Sequence, residues 1–251
     1  SPIRASCSAS TNRTFFGMYK YNDSDLNRIS YSQFNGGSGA DFQKYTTGFY
    51  RDPASWYHIV VAFDSTQTIA NQRQKIYING KEVSYVGGAY SVDAPLNHIP
   101  FNQIASGTMW LGRNEDSAQL LGFNLANFAY VDGSQLTPSY FAETDVVSGE
   151  WIPKTPTGFS WGANGCYLTF SDNSSTGTTG LGKDSSGQGN HWSAGAAVQT
   201  YDQLLDYPTN NFLTFSNLDA YGTNATTLNS AALKFTQATD TGGIRAPLPK
   251  T

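Results

Sequence analysis

The sequence predicts an all-β protein built from two antiparallel sheets packed as a sandwich. Three observations carry that expectation. First, 25 Gly, 15 Tyr and 15 Phe stand among 251 residues of which only 14 % are charged, a balance that suits strands and turns over helices. Second, short apolar runs recur between turn-forming clusters. Third, no long run repeats with helical period.

Taken in order, the strand-like runs are RTFFGMYKY (13–21), NRISYSQF (27–34), DFQKYTT (41–47), SWYHIVVAFD (55–64), QKIYING (74–80), TMWLGR (108–113), LLGFNLANFAYVDG (120–133) and CYLTFSD (166–172). Between them lie NGGSG, DSTQT, NG, VGGAY and NEDS, which supply positive-φ positions and side-chain-to-backbone bonds for turns. In SWYHIVVAFD the alternation places Tyr57, Ile59, Val61 and Phe63 on one wholly apolar face, hence in a core. Trp56, His58, Val60, Ala62 and Asp64 share the other, mixed face, where His58 reads as a hydrogen-bonded framework imidazole. In the next strand Ile76 and Ile78 point one way and Lys75, Tyr77 and Asn79 the other. Asn79-Gly80 then signals a two-residue hairpin turn into KEVSY. The run TPSYFAE has room for one helical turn, with Thr137 as cap and Pro138 at the first helical position. Residues 172–195 read as a surface loop. After Tyr201 the texture shifts to a charge-poor stretch without clear period, so the expected division is a sandwich over 1–197 and an arm over 198–251 leading toward a second, truncated β module.

Composition also bears on ligands. The net charge is −4 and Lys and Arg form no cluster, so there is no electrostatic footprint for nucleic acid or an anionic membrane, and a ligand is expected to be neutral. No apolar run reaches the length of a membrane span. Cys7 and Cys166 are too few for a disulfide scaffold and wrongly spaced for zinc; they are either two ordinary thiols or one disulfide closing a long loop. The sequons at Asn12, Asn22, Asn173 and Asn224 arise by chance in a chain this rich in Asn, Ser and Thr.

The segments FYRDPASWYHIVVAFDSTQ, RQKIYINGKEV, LGFNLANFAYVDGSQLTPSYFAE, GEWIPK, NGCYLTFSD, GKDSSGQGNHW and DYPTNNF, in this order, resemble the concanavalin A-like (laminin G-like) domains, in the version found in structural proteins of tailed bacteriophages, many of them marine. The match spans roughly residues 10 to 212 and is specific as a set rather than segment by segment. It implies a jelly-roll sandwich in which the W-x-H-I-V strand and the K-I-Y-I-N-G hairpin are framework. It also implies a virion protein, in a tail fibre, an appendage or the capsid surface, exposed on the particle and in contact with other virion proteins. Appendages of this kind are often homotrimers. The start of the match lacks the usual Trp, and the piece after DYPTNNF resembles the lead into a second module, so the chain is expected to be part of a longer protein.

Four aromatics beside Gly or polar neighbours, Tyr90, Trp110, Trp161 and Trp192, are the candidate plates for a host-surface glycan, because sugar recognition pairs an exposed ring with amides or carboxylates on loops. The competing reading is that most of them are core or loop-packing rings. Calcium, held by many relatives in rim loops, has candidate ligands in Asn114 and Asp116 and in Asp184 and Asn190, which read equally as Asx turns. No other cofactor is indicated. Glucanases of this superfamily carry E-x-D-x-x-E on one strand; that pattern is absent, and Glu115 with Asp116 and Glu143 with Asp145 fall in turns. The expected protein is therefore not an enzyme but a lectin-like virion component. The alternatives are an assembly module whose arm packs on neighbouring subunits and, less favoured, a polysaccharide hydrolase.

Overall fold

The computed structural model describes residues 4–9, 12–19, 28–34, 39–52, 55–88, 91–100, 108–112, 124–195, 198–203 and 207–209, and the strand segments 216–221, 226–229, 234–237 and 243–245. Among them the protein is all-β with almost no helix, and no helix is long and apolar enough to cross a membrane. The chain forms two compact units, Ser1–Phe123 with Ser134–Gly158, and Asn124–Gly133 with Phe159–Thr251.

In the first unit, strands β1 (Arg4–Ala9), β2 (Asn12–Tyr19), β3 (Arg28–Phe34) and β4 (Ala40–Tyr45) form an antiparallel meander. A second sheet is made by β5 (Ile59–Phe63), β6 (Gln74–Ile78) and β7 (Lys81–Glu82), in that order. The short β8 (Ser91–Val92) and β9 (Thr108–Leu111) then return to the first sheet, β8 beside β4 and β9 beside β1, giving the order β8-β4-β3-β2-β1-β9. A hairpin of β11 (Ala142–Thr144) and β12 (Trp151–Pro153) follows β10 (Phe128–Tyr130), which belongs to the second unit.

One core takes residues from both sheets. Ile29 and Tyr31 of β3 and Phe42 of β4 meet Ile76 and Ile78 of β6, with Ile59, Val61 and Phe63 of β5 and Tyr57 packed against them. The alternation in SWYHIVVAFD and QKIYING is thus realised as predicted. Tyr31, Phe42 and Phe63 form an aromatic triangle with centroids 5.1, 5.4 and 5.9 Å apart, and Gln74, fully buried, donates Nε2 to the carbonyl of Tyr31 at 2.8 Å. This bond offsets desolvation of the amide's NH₂ end only; Gln74 Oε1 is buried without a hydrogen-bond partner. Asn79 and Gly80 both have positive φ, 47° and 80°, as a two-residue hairpin turn demands.

The polar side chains Gln33 and Lys44, on interior strands of the six-stranded sheet, are paired. Gln33 accepts Thr14 Oγ1 at 2.7 Å, which leaves its Nε2 for Asp41 at 3.0 Å and His98 Nε2 at 2.6 Å. Lys44, on a buried strand, sits 2.5 Å from Asp93 Oδ1; that oxygen makes no aligned hydrogen bond, so the contact is an ion pair.

Two local expectations change. The run LLGFNLANFAYVDG is strand only over Phe128–Tyr130 among its described residues, because Asn124–Asn127 leave the ladder before β10 pairs with β13 (Cys166–Leu168). Pro138 does open a short 3-10 turn, but Thr137 makes no capping bond; its hydroxyl pairs with Ser139 Oγ at 3.0 Å. The remaining strands are β14 (Ser216–Tyr221), β15 (Thr226–Asn229), β16 (Lys234–Gln237) and β17 (Gly243–Arg245), which pair β14 with β17 and β15 with β16.

Candidate functional site

The second unit is organised by the two-stranded ribbon of β10 and β13, in which Phe128 faces Leu168, Ala129 faces Tyr167 and Tyr130 faces Cys166. Directly opposed residues share a face and successive residues alternate. Phe128, Leu168, Tyr130 and Cys166 therefore lie on one side, Ala129 and Tyr167 on the other.

Trp192 belongs to the first side. Its ring meets Phe128 edge-on at 5.4 Å, its backbone N–H donates to the Gly182 carbonyl at 2.8 Å, and its side chain is hydrogen-bonded to Cys166. Cys166, Leu168 and Leu181 are buried. Burial pushes the Cys166 thiol up to about 11, against the hydrogen bond from Trp192, and the thiol is free, so no disulfide joins it to Cys7. Trp192 is thus a packing ring at the edge of this unit's core, the alternative the sequence left open for it.

Trp161 belongs to the other side. It stacks on Tyr167 at 5.6 Å with an interplanar angle of 20°, and Phe159 meets it edge-on at 4.8 Å. Tyr167 is shifted upward first by burial and then by neighbouring Tyr207, whose hydroxyl accepts Asn127 Nδ2 at 2.6 Å. An aromatic ladder thereby runs beside amide and hydroxyl groups.

The loop FSWGANG that carries Trp161 is held from two directions. Asp132, at the end of β10, donates its N–H to the Trp161 carbonyl at 2.9 Å and accepts Asn164 Nδ2 at 2.8 Å. From the other direction Asn190 Nδ2 donates to the carbonyls of Ala163 and Gly165, at 2.9 and 2.8 Å. The close approach requires glycine: a Cβ at Gly162, whose φ is +72°, would lie 2.4 Å from the Asp132 carbonyl, and one at Gly165 2.0 Å from that of Trp161.

Asn190 is in turn placed by Asp184. The Asp184 carboxylate, with the residue 6 % exposed, accepts the N–H groups of Tyr167 at 2.8 Å, Ser186 at 2.9 Å and Asn190 at 2.9 Å, and the Ser186 hydroxyl at 2.9 Å. Burial alone would raise its pKa; these four donors outweigh it and hold the carboxyl below its ordinary value. His191 Nδ1 accepts the Asp184 N–H at 3.0 Å. Both carboxylate oxygens are engaged by protein donors, and through them Asp184 and Asn190 brace the Trp161 loop. Among the described residues no three of His, Cys, Asp and Glu gather closely enough to hold a metal ion.

Trp110 is half-buried in β9, at the outer edge of the six-stranded sheet. Tyr90, Asn114 and Asp116 lie outside the described residues. Glu143 pairs with Lys154 at 3.5 Å across the β11–β12 hairpin, and Asp145 accepts the N–H and hydroxyl of Ser148 in its turn, at 2.9 and 2.6 Å; these are hairpin contacts, as the sequence suggested. His58 is framework: its Nδ1 accepts Trp151 Nε1 at 2.9 Å. Sequence reasoning missed Phe159, Tyr167, Asp132 and Asn164. The signal available for Tyr167 was its outward place in the alternation of CYL, between two buried neighbours.

No family model, no curated protein and no solved structure matches the chain.

Proposed function

We propose that the protein is a non-enzymatic structural component of a tailed-bacteriophage virion, in a tail fibre, an appendage or the capsid surface. Its two sheets form a concanavalin A-like sandwich, and Trp161 with Tyr167 forms the plate on which a host-surface glycan docks. The virion context rests on the ordered resemblance of SWYHIVVAFD, KIYING and the later segments. The core shared by β3, β4, β5 and β6 supports the sandwich reading.

The observation that carries the glycan reading is the braced aromatic ladder: Trp161 stacked on Tyr167, on a loop fixed by Asp132 and Asn190, beside Asn127, Asn164 and the Tyr207 hydroxyl. Rings presented rigidly next to amides and hydroxyls match a sugar's apolar face and its equatorial hydroxyls. A glycan array probed with the whole chain tests it. Trp161→Ala should weaken binding roughly tenfold or more, the loss of one stacking contact. Trp192→Ala, which removes a half-buried packing ring at the edge of the core, should lower stability instead. An array on which the wild-type chain binds nothing, or on which Trp161→Ala binds as well as wild type, refutes the glycan role.

A second reading, an assembly module, is favoured by a different observation: among the described residues β14 pairs with β17 and β15 with β16, each in a sheet of two strands. Removal of residues 199–251 should then block incorporation into particles while leaving the remaining chain folded.

A further inference from the structure

The sequence assigns Tyr207 to an arm over 198–251, but the structure fastens it to the ribbon of β10 and β13. Its hydroxyl accepts Asn127 Nδ2 at 2.6 Å, and Gln203 Nε2 donates to the Phe170 carbonyl, just past β13, at 2.9 Å. Asn127 stands two residues from Ala129, which faces Tyr167, so it falls on the Tyr167 and Trp161 side of the ribbon. Tyr207 agrees with that placement, being close enough to Tyr167 to raise its pKa. All four residues, Asn127, Trp161, Tyr167 and Tyr207, are half-buried. The bond between Asn127 and Tyr207 leaves a donor and an acceptor unspent. A phenol oxygen that accepts must point its own proton elsewhere, and an amide that donates keeps its carbonyl as an acceptor. Turning the amide over exchanges the two roles and still leaves one donor and one acceptor. Among the described residues neither side chain makes a further hydrogen bond.

We propose that this pair reads two free hydroxyls on adjacent carbons of a pyranose, the Asn127 carbonyl accepting from one and the Tyr207 hydroxyl donating to the other, beside the aromatic ladder. The inference rests on the glycan reading and narrows it to an uncharged pyranose whose vicinal diol is unsubstituted. Two features select this class. A donor and an acceptor held one hydrogen bond apart match a diol, in which one hydroxyl gives its proton and its neighbour receives one; a hydroxyl capped as an ether has no proton for the Asn127 carbonyl. The segments that build the plate and its loop, 124–133 and 159–172, contain no Lys or Arg, so they offer an acidic substituent no counter-charge. Tyr207 thereby becomes a specificity-determining residue of the site, although it lies 40 residues beyond Tyr167 in the chain.

The test is an array of glucans, mannans and galactans, each printed beside its O-methylated form and probed with the whole chain. Methylation keeps the ring and its apolar face but removes the hydroxyl protons. The wild type should bind a native polymer roughly fivefold to tenfold more tightly than the methylated form, the loss of one or two neutral hydrogen bonds. Tyr207→Phe, which keeps the ring, and Asn127→Leu should each lose roughly threefold to tenfold on the native polymer and match the wild type on the methylated one. A urea melt confirms that each variant is folded, and the methylation arm uses the wild type alone, so it decides the question even where a variant fails to fold. Equal binding of native and methylated polymer by the wild type overturns the diol reader. So do folded variants that bind the native polymer like wild type; a loss on Trp161→Ala in the same array would then leave the plate standing. A wild type that binds no polymer removes the glycan reading and this inference with it.

Discussion

Acid should loosen the first unit through a single imidazole. His58 accepts the Trp151 indole N–H on Nδ1 at 2.9 Å, and burial lowers its pKa from 6.5 to about 4. Because the folded value lies below the unfolded one, the unfolded chain takes up the proton first as pH falls. The stabilisation is whole above about 6.5, is lost progressively as pH drops toward 4, and declines no further below that. A displacement of this size corresponds to about 3 kcal/mol, a large share of the margin of an ordinary domain. The carboxylates of Asp64, Asp145, Asp172 and Asp184 are held below their ordinary value of 3.8, so their contributions remain in place through this window and are lost only in stronger acid.

The assay is urea denaturation at a series of pH values across the window, comparing wild type with His58→Gln. The glutamine carbonyl can receive the Trp151 N–H but takes up no proton, so the variant should lose the acid slope. Near neutral pH it should stay within about 1 to 2 kcal/mol of wild type. Imidazole resonances followed by NMR give the pKa directly. Parallel pH profiles for the two proteins, or a His58 titration near 6.5, would refute the burial argument.

In the second unit, Gly182→Ala should be severe, because the new Cβ would sit 1.9 Å from the Trp192 carbonyl, a backbone atom that cannot swing away. A loss of about 3 kcal/mol or more is expected in a denaturant melt. Gly187→Ala is the control: with φ +89° and nothing within 4 Å it should cost only about 1 to 2 kcal/mol, and equal losses would contradict the crowding. Asp184→Asn replaces an acceptor of four donors by an amide that must turn an NH₂ group toward some of them. It should cost about 2 to 4 kcal/mol and make Trp161 more accessible to a fluorescence quencher; unchanged stability would show that the hub braces nothing.

The parts of the fold that could be read from sequence are those where local pattern and long-range packing agree. In SWYHIVVAFD every second residue from Tyr57 to Phe63 is apolar, and Asn-Gly fixes the register of the following hairpin, so no distant contact was needed to place them. β1 carried no such signal: RASCSA lacks large apolar residues and becomes strand because β2 and β9 hydrogen-bond to its two edges. The role of Trp151 was equally hidden. It caps His58 from 93 residues away and lies over Gly80, where an added Cβ would come within 3.0 Å of its ring.

The aromatic candidates show why composition around a ring is weak evidence for a site. Trp161 in FSWGANG and Trp192 in GNHWS have nearly the same small and polar neighbours, and nothing local separates them. What separates them is the alternation of Cys166, Tyr167 and Leu168: the outer two point to the side buried with Trp192, the middle one to the side stacked with Trp161. The same geometry changes the meaning of Asp184 and Asn190. Their spacing suggested a cation, but one strand bridge, Leu168 to Asp184, brings the carboxylate under the N–H groups of Tyr167, Ser186 and Asn190. Once those bonds form, Asn190 is left facing the carbonyls of the Trp161 loop. A glycan plate on that loop then owes its rigidity to the residues that looked like metal ligands, which is why Asp184→Asn should be felt at Trp161.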